Sequence, residues 1–308
     1  MKLIADAGST KVEWILFGAN IIVDDHSHIT ESEYESNVAP IKDSSVVKKF
    51  KTAGINPITM TAEEIRDIIY NNVYDELHNY AELIVDVHYF GAGCRGGKFN
   101  NMISDALKEI LPNASIEVDS DMVGAAKALF GNNCGIACIL GTGSNSCLFD
   151  GIKIVDQIPS LGFILGDEGS GSYLGKQLLG SIMKRQLPEE IIEKFEAKYH
   201  LTVDDIILKV YKGNAPNKFL ASFVPFIIEN IANLAIRKMV RDSFSVFFVR
   251  NILPYRDAEK LPIGFIGSVA YYLKDILCES ASANNLSISK ILASPTEGLI
   301  EHYSSLIN

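Results

Sequence analysis

The sequence predicts an α/β protein of two lobes, and three observations carry that prediction. Short apolar runs alternate with longer amphipathic stretches along all 308 residues. A plan of hairpin, hairpin and helix opens at Lys2 and opens again near Gly135. Three turns rich in glycine and hydroxyl residues adjoin apolar runs at widely separated places in the chain.

The apolar runs at 3–5, 12–17, 83–90, 116–118, 136–140, 146–149 and 263–266 are read as strands. Helices are expected at 62–80, 100–110, 121–130, 171–185, 188–198, 202–212, 219–240, 269–282 and 297–306. Asp119-Ser120 offers an N-cap to the helix beginning near Asp121, and Gly131 with Asn132-Asn133 ends it. The lobes are therefore placed at 1–118 and 119–295, with 296–308 returning to the first. Residues 18–50 are polar and irregular. His26 and His28, with Glu31, Glu33 and Glu35 nearby, have the residue types of a metal site, but an i, i+2 pair without a helical pattern reads as a solvated strand. That region is assigned no function. Lys48-Lys49-Phe50-Lys51 reads as a solvated edge.

The turns carry the chemistry. Leu140-Gly141-Thr142-Gly143-Ser144-Asn145 lies between two apolar runs, where its glycines permit a tight turn that brings backbone N–H groups against an anion, and its hydroxyls add donors. Small-residue hairpins are also common as plain turns, so the partner segments decide. At the N-terminus, Asp6-Ala7-Gly8-Ser9-Thr10-Lys11 sets a carboxylate before a phosphate-sized loop; such a carboxylate can hold Mg²⁺ through water, while Ser9, Thr10 and Lys11 suit phosphate oxygens. Ile263-Gly264-Phe265-Ile266-Gly267-Ser268-Val269-Ala270-Tyr271 reads as a buried strand, a glycine turn and a helix start, where a flat base can approach the backbone. Bulk at Gly141 or Gly267 is accordingly expected to weaken nucleotide affinity before it harms folding.

In this order, two phosphate motifs and an adenosine motif, the chain resembles the superfamily of actin, sugar kinases and heat-shock-chaperone ATPases. More closely it resembles the N-acetylglucosamine kinase branch, grouped with the ATPase activators of benzoyl-CoA reductase and 2-hydroxyglutaryl-CoA dehydratase. The segments Tyr89-Phe90-Gly91-Ala92-Gly93-Cys94, Asp119-Ser120-Asp121-Met122-Val123-Gly124, Leu165-Gly166-Asp167-Glu168-Gly169-Ser170 and Ser294-Pro295-Thr296-Glu297-Gly298 extend the resemblance over most of the chain. It implies two ribonuclease H-like lobes of the actin-like ATPase fold with a nucleotide cleft between them. It also implies ATP and Mg²⁺ as cofactors and an amino sugar as substrate.

Site roles follow from the same matches. Gly141, Thr142, Gly143 and Ser144 fall on phosphate, Gly267, Ser268 and Tyr271 on adenosine, and Asp6 on the metal. A sugar kinase needs a carboxylate to take the hydroxyl proton. Spacing alone does not separate Asp119 from Asp121, both of which suit a helix cap, and the resemblance assigns the role of base to Asp121. It points to Asp167, in a turn read as flexible, on the sugar; Asn145, at the end of the second phosphate loop, is placed to bridge sugar and phosphate, and Asn56 matches an Asn before Pro that is also an ordinary turn. Two departures stand out. Ser160-Leu161-Gly162-Phe163 replaces a Gly-Gly-Trp-Gly stretch near the sugar, and the first phosphate loop lacks a run of glycines.

Composition excludes other classes. With 47% hydrophobic and 21% charged residues the chain can bury a sizeable core. A net charge of −10 gives no reason to expect nucleic acid or anionic membrane as partner. No run approaches the roughly 20 apolar residues that span a bilayer, Phe244–Val249 being short and followed by Arg250. Met1-Lys2 leads straight into a motif-bearing strand, so no signal peptide is expected. Cys94, Cys134, Cys138, Cys147 and Cys278 lack CxxC spacing and read as buried fillers in a reducing compartment, the cytoplasm. A homodimer remains open. The rival expectations are an activator of a 2-hydroxyacyl-CoA dehydratase, which needs cysteines for an iron–sulfur cluster, and a non-catalytic sugar sensor.

Overall fold

The computed structural model of the chain describes residues 1–8, 11–18 and 45–304. By contacts it divides into two compact units, Met1–Gly124 with Thr296–Asn308, and Ala125–Pro295.

The first unit holds strands β1 (Lys2–Ala7), β2 (Lys11–Gly18), β3 (Ser45–Ala53), β4 (Asp86–Gly91) and β5 (Ser115–Ser120), in the order β3-β2-β1-β4-β5. β1, β4 and β5 run parallel, while β2 and β3 are antiparallel to their neighbours. β1 is central and buried on both faces, which is why Leu3-Ile4-Ala5 reads as a continuous apolar run rather than an alternating one. Trp14 on β2 is fully buried; its ring packs on Tyr89 and Phe50, and its Nε1 donates to Thr52 Oγ1 at 3.0 Å.

The second unit repeats the plan with β6 (Gly135–Leu140), β7 (Ser144–Phe149), β8 (Ile154–Asp156), β9 (Ile263–Ile266) and β10 (Ile288–Leu292), ordered β10-β9-β6-β7-β8. Here too a central strand is antiparallel to a hairpin on one side and parallel to two further strands on the other. Its core is built from Ile136, Cys138, Leu140, Phe244, Phe247 and Phe265 among others. The apolar run at Phe244–Val249 is thus largely accounted for by core packing, and among the described residues no helix is long and apolar enough to cross a membrane.

Three strands differ from the sequence expectation: β3, β8 and β10 were not anticipated, and all three lie at sheet edges. β3 contains the lysine run read as a solvated edge; Lys49 and Lys51 pair with Glu13 at 3.3 and 3.8 Å. Lysines on an edge strand discourage pairing with another chain. The helix expected at 219–240 is three helices, Pro216–Ala221, Val224–Glu229 and Leu234–Phe247. Pro225 starts the second, and Asn233 caps the third by accepting from Ala235 N at 2.9 Å. The helix expected at 269–282 breaks at Leu273, between Ser268–Tyr272 and Lys274–Ala283.

The helix Asp121–Phe130 matches expectation at both ends, but its cap is Ser120, whose Oγ accepts from Val123 N at 3.3 Å. Asp119 instead accepts from the amide of Ser120 at 3.1 Å. Ser120→Ala should therefore cost about 1 kcal/mol of stability in a urea titration, the usual value of a lost cap.

Candidate active site

In the first unit, three loops leave the sheet at the same edge. The parallel register aligns Asp6 with Phe90 and Phe90 with Asp119, so Ala7-Gly8, Gly91–Cys94 and Ser120-Asp121 all emerge at the carboxyl ends of β1, β4 and β5. That edge is where ligands bind in α/β sheets. The turns are tied together: Ala92 N donates to Ala7 O at 3.0 Å, and Gly8 N to Lys11 O at 3.0 Å.

Asp121 is the first residue of its helix and its Oδ1 accepts from Met122 N at 2.9 Å. Burial raises its proton affinity, opposed by that amide and by the charge of Arg95. Asp6 is pushed up to about 6 by burial, then by the carboxylates of Glu13 and Asp121, with Lys11 acting in the other direction. Glu13, across the ladder from Asp6, goes the opposite way: burial works against it, yet the hydroxyl of Thr296 at 2.8 Å together with Lys49 and Lys51 holds its carboxyl below the usual range. Burial is the main cause of both shifts, and at Asp6 the carboxylates of Glu13 and Asp121 add to it, a combination that a divalent cation beside Asp6 would relieve. Among the described residues no three His, Cys, Asp or Glu side chains converge on one point. Asn56 lies on the same side: its Oδ1 accepts from Ile58 N at 3.0 Å and sits so close to Gly93 that a Cβ there would come within 2.4 Å of it.

In the second unit the hairpin turn 141–143 joins β6 to β7. Gly141 O and Thr142 O accept from Gly171 N and Ser172 N at 2.8 and 3.0 Å, so the helix Gly171–Met183 starts against the turn. Ser144 N donates to Asp167 Oδ1 at 3.1 Å, and Gly141 N to Gly143 O at 3.0 Å. With those amides engaged inside the protein, an anion at this turn would be met by the exposed Thr142 and by Gly143. Asp167 is buried and has a left-handed backbone, φ 56°. Its proton affinity is raised by burial, against the Ser144 amide and the Ser160 hydroxyl. The acidic turn read as flexible is therefore fixed to the hairpin. Asp167 lines a depression of about 180 Å³ with Ser144, Pro159, Ser160, Leu161 and Arg250. Asn145 accepts from Gln157 Nε2 at 3.1 Å.

The third turn adjoins the second. Gly267 follows β9 with φ 122°, and a Cβ there would lie 2.3 Å from Leu140 O and 3.3 Å from Gly141 N. Ser268 and Tyr271 are exposed beside it. This corrects the expectation for bulk at Gly267. Gly267→Ala should destabilise the fold by about 2 kcal/mol or more, because both the contact and the backbone conformation exclude a side chain. Gly141 has open space where its Cβ would stand, so Gly141→Ala should leave the melting temperature nearly unchanged. Calorimetric nucleotide titration of that variant then reads ligand approach alone.

No protein-family model and no curated protein matches the sequence. Among solved structures, a protein from Porphyromonas gingivalis provisionally named an N-acetylglucosamine kinase superposes with a TM-score of 0.86 at 40% identity, covering 100% of both chains. The chain belongs to the sugar kinase and actin-like ATPase superfamily. A second such protein, from Chromobacterium violaceum, shares the fold at a TM-score of 0.66 and 13% identity over 98% of both chains. A transcriptional regulator of the ROK family shares it at 0.53 and 10% identity, over 99% of this chain and 80% of its own. The two-lobed actin-like ATPase fold explains why the same sheet order occurs twice.

Within this superfamily fold, Asp6, Lys11, Asn56 and Asp121 belong to the first lobe, and Gly141, Thr142, Gly143, Ser144, Asn145, Asp167, Gly267, Ser268 and Tyr271 to the second. Ser9, Thr10 and the cluster of His26, His28, Glu31, Glu33 and Glu35 lie outside the described residues. Sequence reasoning missed Glu13, Arg95, Arg250, Asn251 and Tyr255; Ser160, noted there only as part of a departure, donates to Ser144 O at 3.0 Å. One cysteine expectation is corrected: Cys94, Cys138 and Cys147 are buried, but Cys134 and Cys278 are exposed. Cys134 falls in the turn that Gly131 opens, and Cys278 is on the outer face of a helix that buries Ile276, Leu277 and Ala281.

Proposed function

We propose that the chain is a sugar kinase that transfers the terminal phosphoryl group of ATP to the 6-hydroxyl of N-acetylglucosamine or a close amino sugar. The observation that carries this reading is Asp121, a carboxylate of raised proton affinity at the carboxyl ends of the parallel strands of its sheet, in a chain that matches its kinase-named neighbour over its full length. Raised affinity brings a carboxylate nearer the working pH and makes it a better general base.

Asp121 takes the proton of the sugar hydroxyl as that oxygen attacks the γ-phosphorus. The bond from phosphorus to the bridging oxygen breaks, giving a sugar phosphomonoester and ADP. Ser9, Thr10, Lys11 and the turn Gly141–Ser144 are assigned to the phosphates, and Gly267, Ser268 and Tyr271 to the adenosine. Asn56, Asn145 and Asp167 are assigned to the sugar hydroxyls. Asp6 is the residue that would hold Mg²⁺, which supplies charge neutralisation on the phosphates.

The regiochemistry is tested by phosphorus–proton correlation NMR on the product of ATP, Mg²⁺ and N-acetylglucosamine. The expected signal is a phosphomonoester coupled to the methylene protons at C6. Coupling to the anomeric proton, or no new ester, contradicts the assignment.

A further inference from the structure

Beneath the second lobe's hairpin lies a polar network that none of the assigned roles uses. Glu168, next to Asp167, is buried, yet it is ionically paired: Arg250 Nη1 is 2.6 Å from its Oε1, and Asn251 Nδ2 donates to its Oε2 at 3.2 Å. Asn251 O accepts from Ser146 Oγ at 2.9 Å, and that hydroxyl also meets Tyr255 OH at 2.9 Å. Tyr255 OH in turn accepts from Ile158 N at 3.0 Å. Arg250 and Asn251 sit on a π-helical turn, Phe248–Ile252, that continues the helix Leu234–Phe247. Such turns re-aim side chains and recur at functional sites.

We infer that the Glu168–Arg250–Asn251 cluster is a positioning device for the sugar subsite: it fixes the acidic turn so that Asp167 is held on the Ser144 amide before any ligand arrives. A left-handed aspartate persists only where its surroundings over-determine it. Here the residue that follows it is clamped by two side chains more than 80 positions away in sequence. A buried carboxylate that loses its cation is left uncompensated, so the turn rearranges to solvate it. Arg250 is more than half exposed and lines the same depression as Asp167, so its head can be removed without opening the core.

The kinetic part of this inference rests on the sugar-kinase reading; the structural part does not, and the experiment separates them. Hydrogen exchange is compared in wild-type, Arg250→Ala and Arg250→Lys proteins. In Arg250→Ala the amides of Ser144 and of Gly166–Ser170 should exchange about tenfold faster or more, while those of Ile136–Leu140 keep their protection, the pattern of a local rather than a global opening. Arg250→Lys keeps a charge but not the fork, and should show the same pattern at smaller amplitude. In turnover assays Arg250→Ala should lose about 10–100-fold in kcat/KM for the sugar with KM for ATP within about twofold, and millimolar guanidinium should restore part of it. Unchanged exchange at Ser144 and Gly166–Ser170 in both variants overturns the inference, whatever their activity. So does acceleration spread evenly over β6, which marks simple destabilisation. If the wild-type protein shows no sugar-dependent turnover, the kinase reading falls and the exchange comparison still decides the network.

Discussion

Asp121→Asn should lower sugar-dependent turnover by about 10²–10⁴-fold while ATP still binds, the range for loss of a general base. The local structure makes this a clean substitution. The Oδ1 that accepts from Met122 N is retained by asparagine, and the helix cap belongs to Ser120. Because burial raises the proton affinity of Asp121, the neutral side chain should leave the melting temperature at neutral pH unchanged or higher, and what is lost is the proton acceptor. Asp119→Asn should be mild by comparison, since its side-chain contact to the Ser120 amide also survives the change. Stopped-time measurement of ADP at saturating sugar distinguishes the two, and near-wild-type turnover in Asp121→Asn removes the residue from the chemistry.

The second large effect belongs to Asp6. Its carboxyl is pushed up to about 6 from an ordinary 3.8, so the folded chain binds this proton more tightly than the unfolded chain does. The associated stability is fully present below about pH 4 and is lost as pH rises through about 6, a swing on the order of 2–3 kcal/mol. Asp6→Asn should accordingly raise the metal-free melting temperature at pH 7.5 and change it little at pH 4. Mg²⁺ bound by Asp6 competes with the same proton, so added Mg²⁺ with nucleotide should stabilise wild type more at pH 7.5 than at pH 5.5 and lose most of that effect in Asp6→Asn. Equal Mg²⁺ stabilisation of the two proteins at pH 7.5 would place the ion elsewhere.

The interior of each sheet could be read from the chain because burial on both faces writes a continuous apolar run, as in Leu3-Ile4-Ala5 and Ile136–Leu140. Of the four edge strands only β5 was legible, at 116–118. β3 carries three lysines among few apolar residues, β8 has only three residues, and β10 is interrupted by Ser289 and Lys290, so none of these three carries the signal that an inner strand must. The helix expected at 219–240 failed for the converse reason: its apolar period runs on through Pro225 and Asn233, where the backbone turns. At the candidate site, Asp6, Asp121 and the glycine turns could be singled out because they stand at the ends of strands or the starts of helices, and Asp167 because it lies in an acidic turn ahead of the helix Gly171–Met183. Glu13, Arg250, Asn251 and Tyr255 act through partners brought near by the fold; the bond of Ser146 to Tyr255 spans 109 positions, and no local pattern marks it.

The central claim is that this chain couples ATP to a sugar hydroxyl. Its most direct test is a coupled ADP-release assay on the purified protein with Mg²⁺ and a panel of hexoses and amino sugars. ADP release should depend on added sugar and be fastest with N-acetylglucosamine or a close amino sugar, because substrate must supply the hydroxyl that Asp121 deprotonates. ADP release at the same rate with and without every sugar in the panel, or none at all in folded protein, would contradict it.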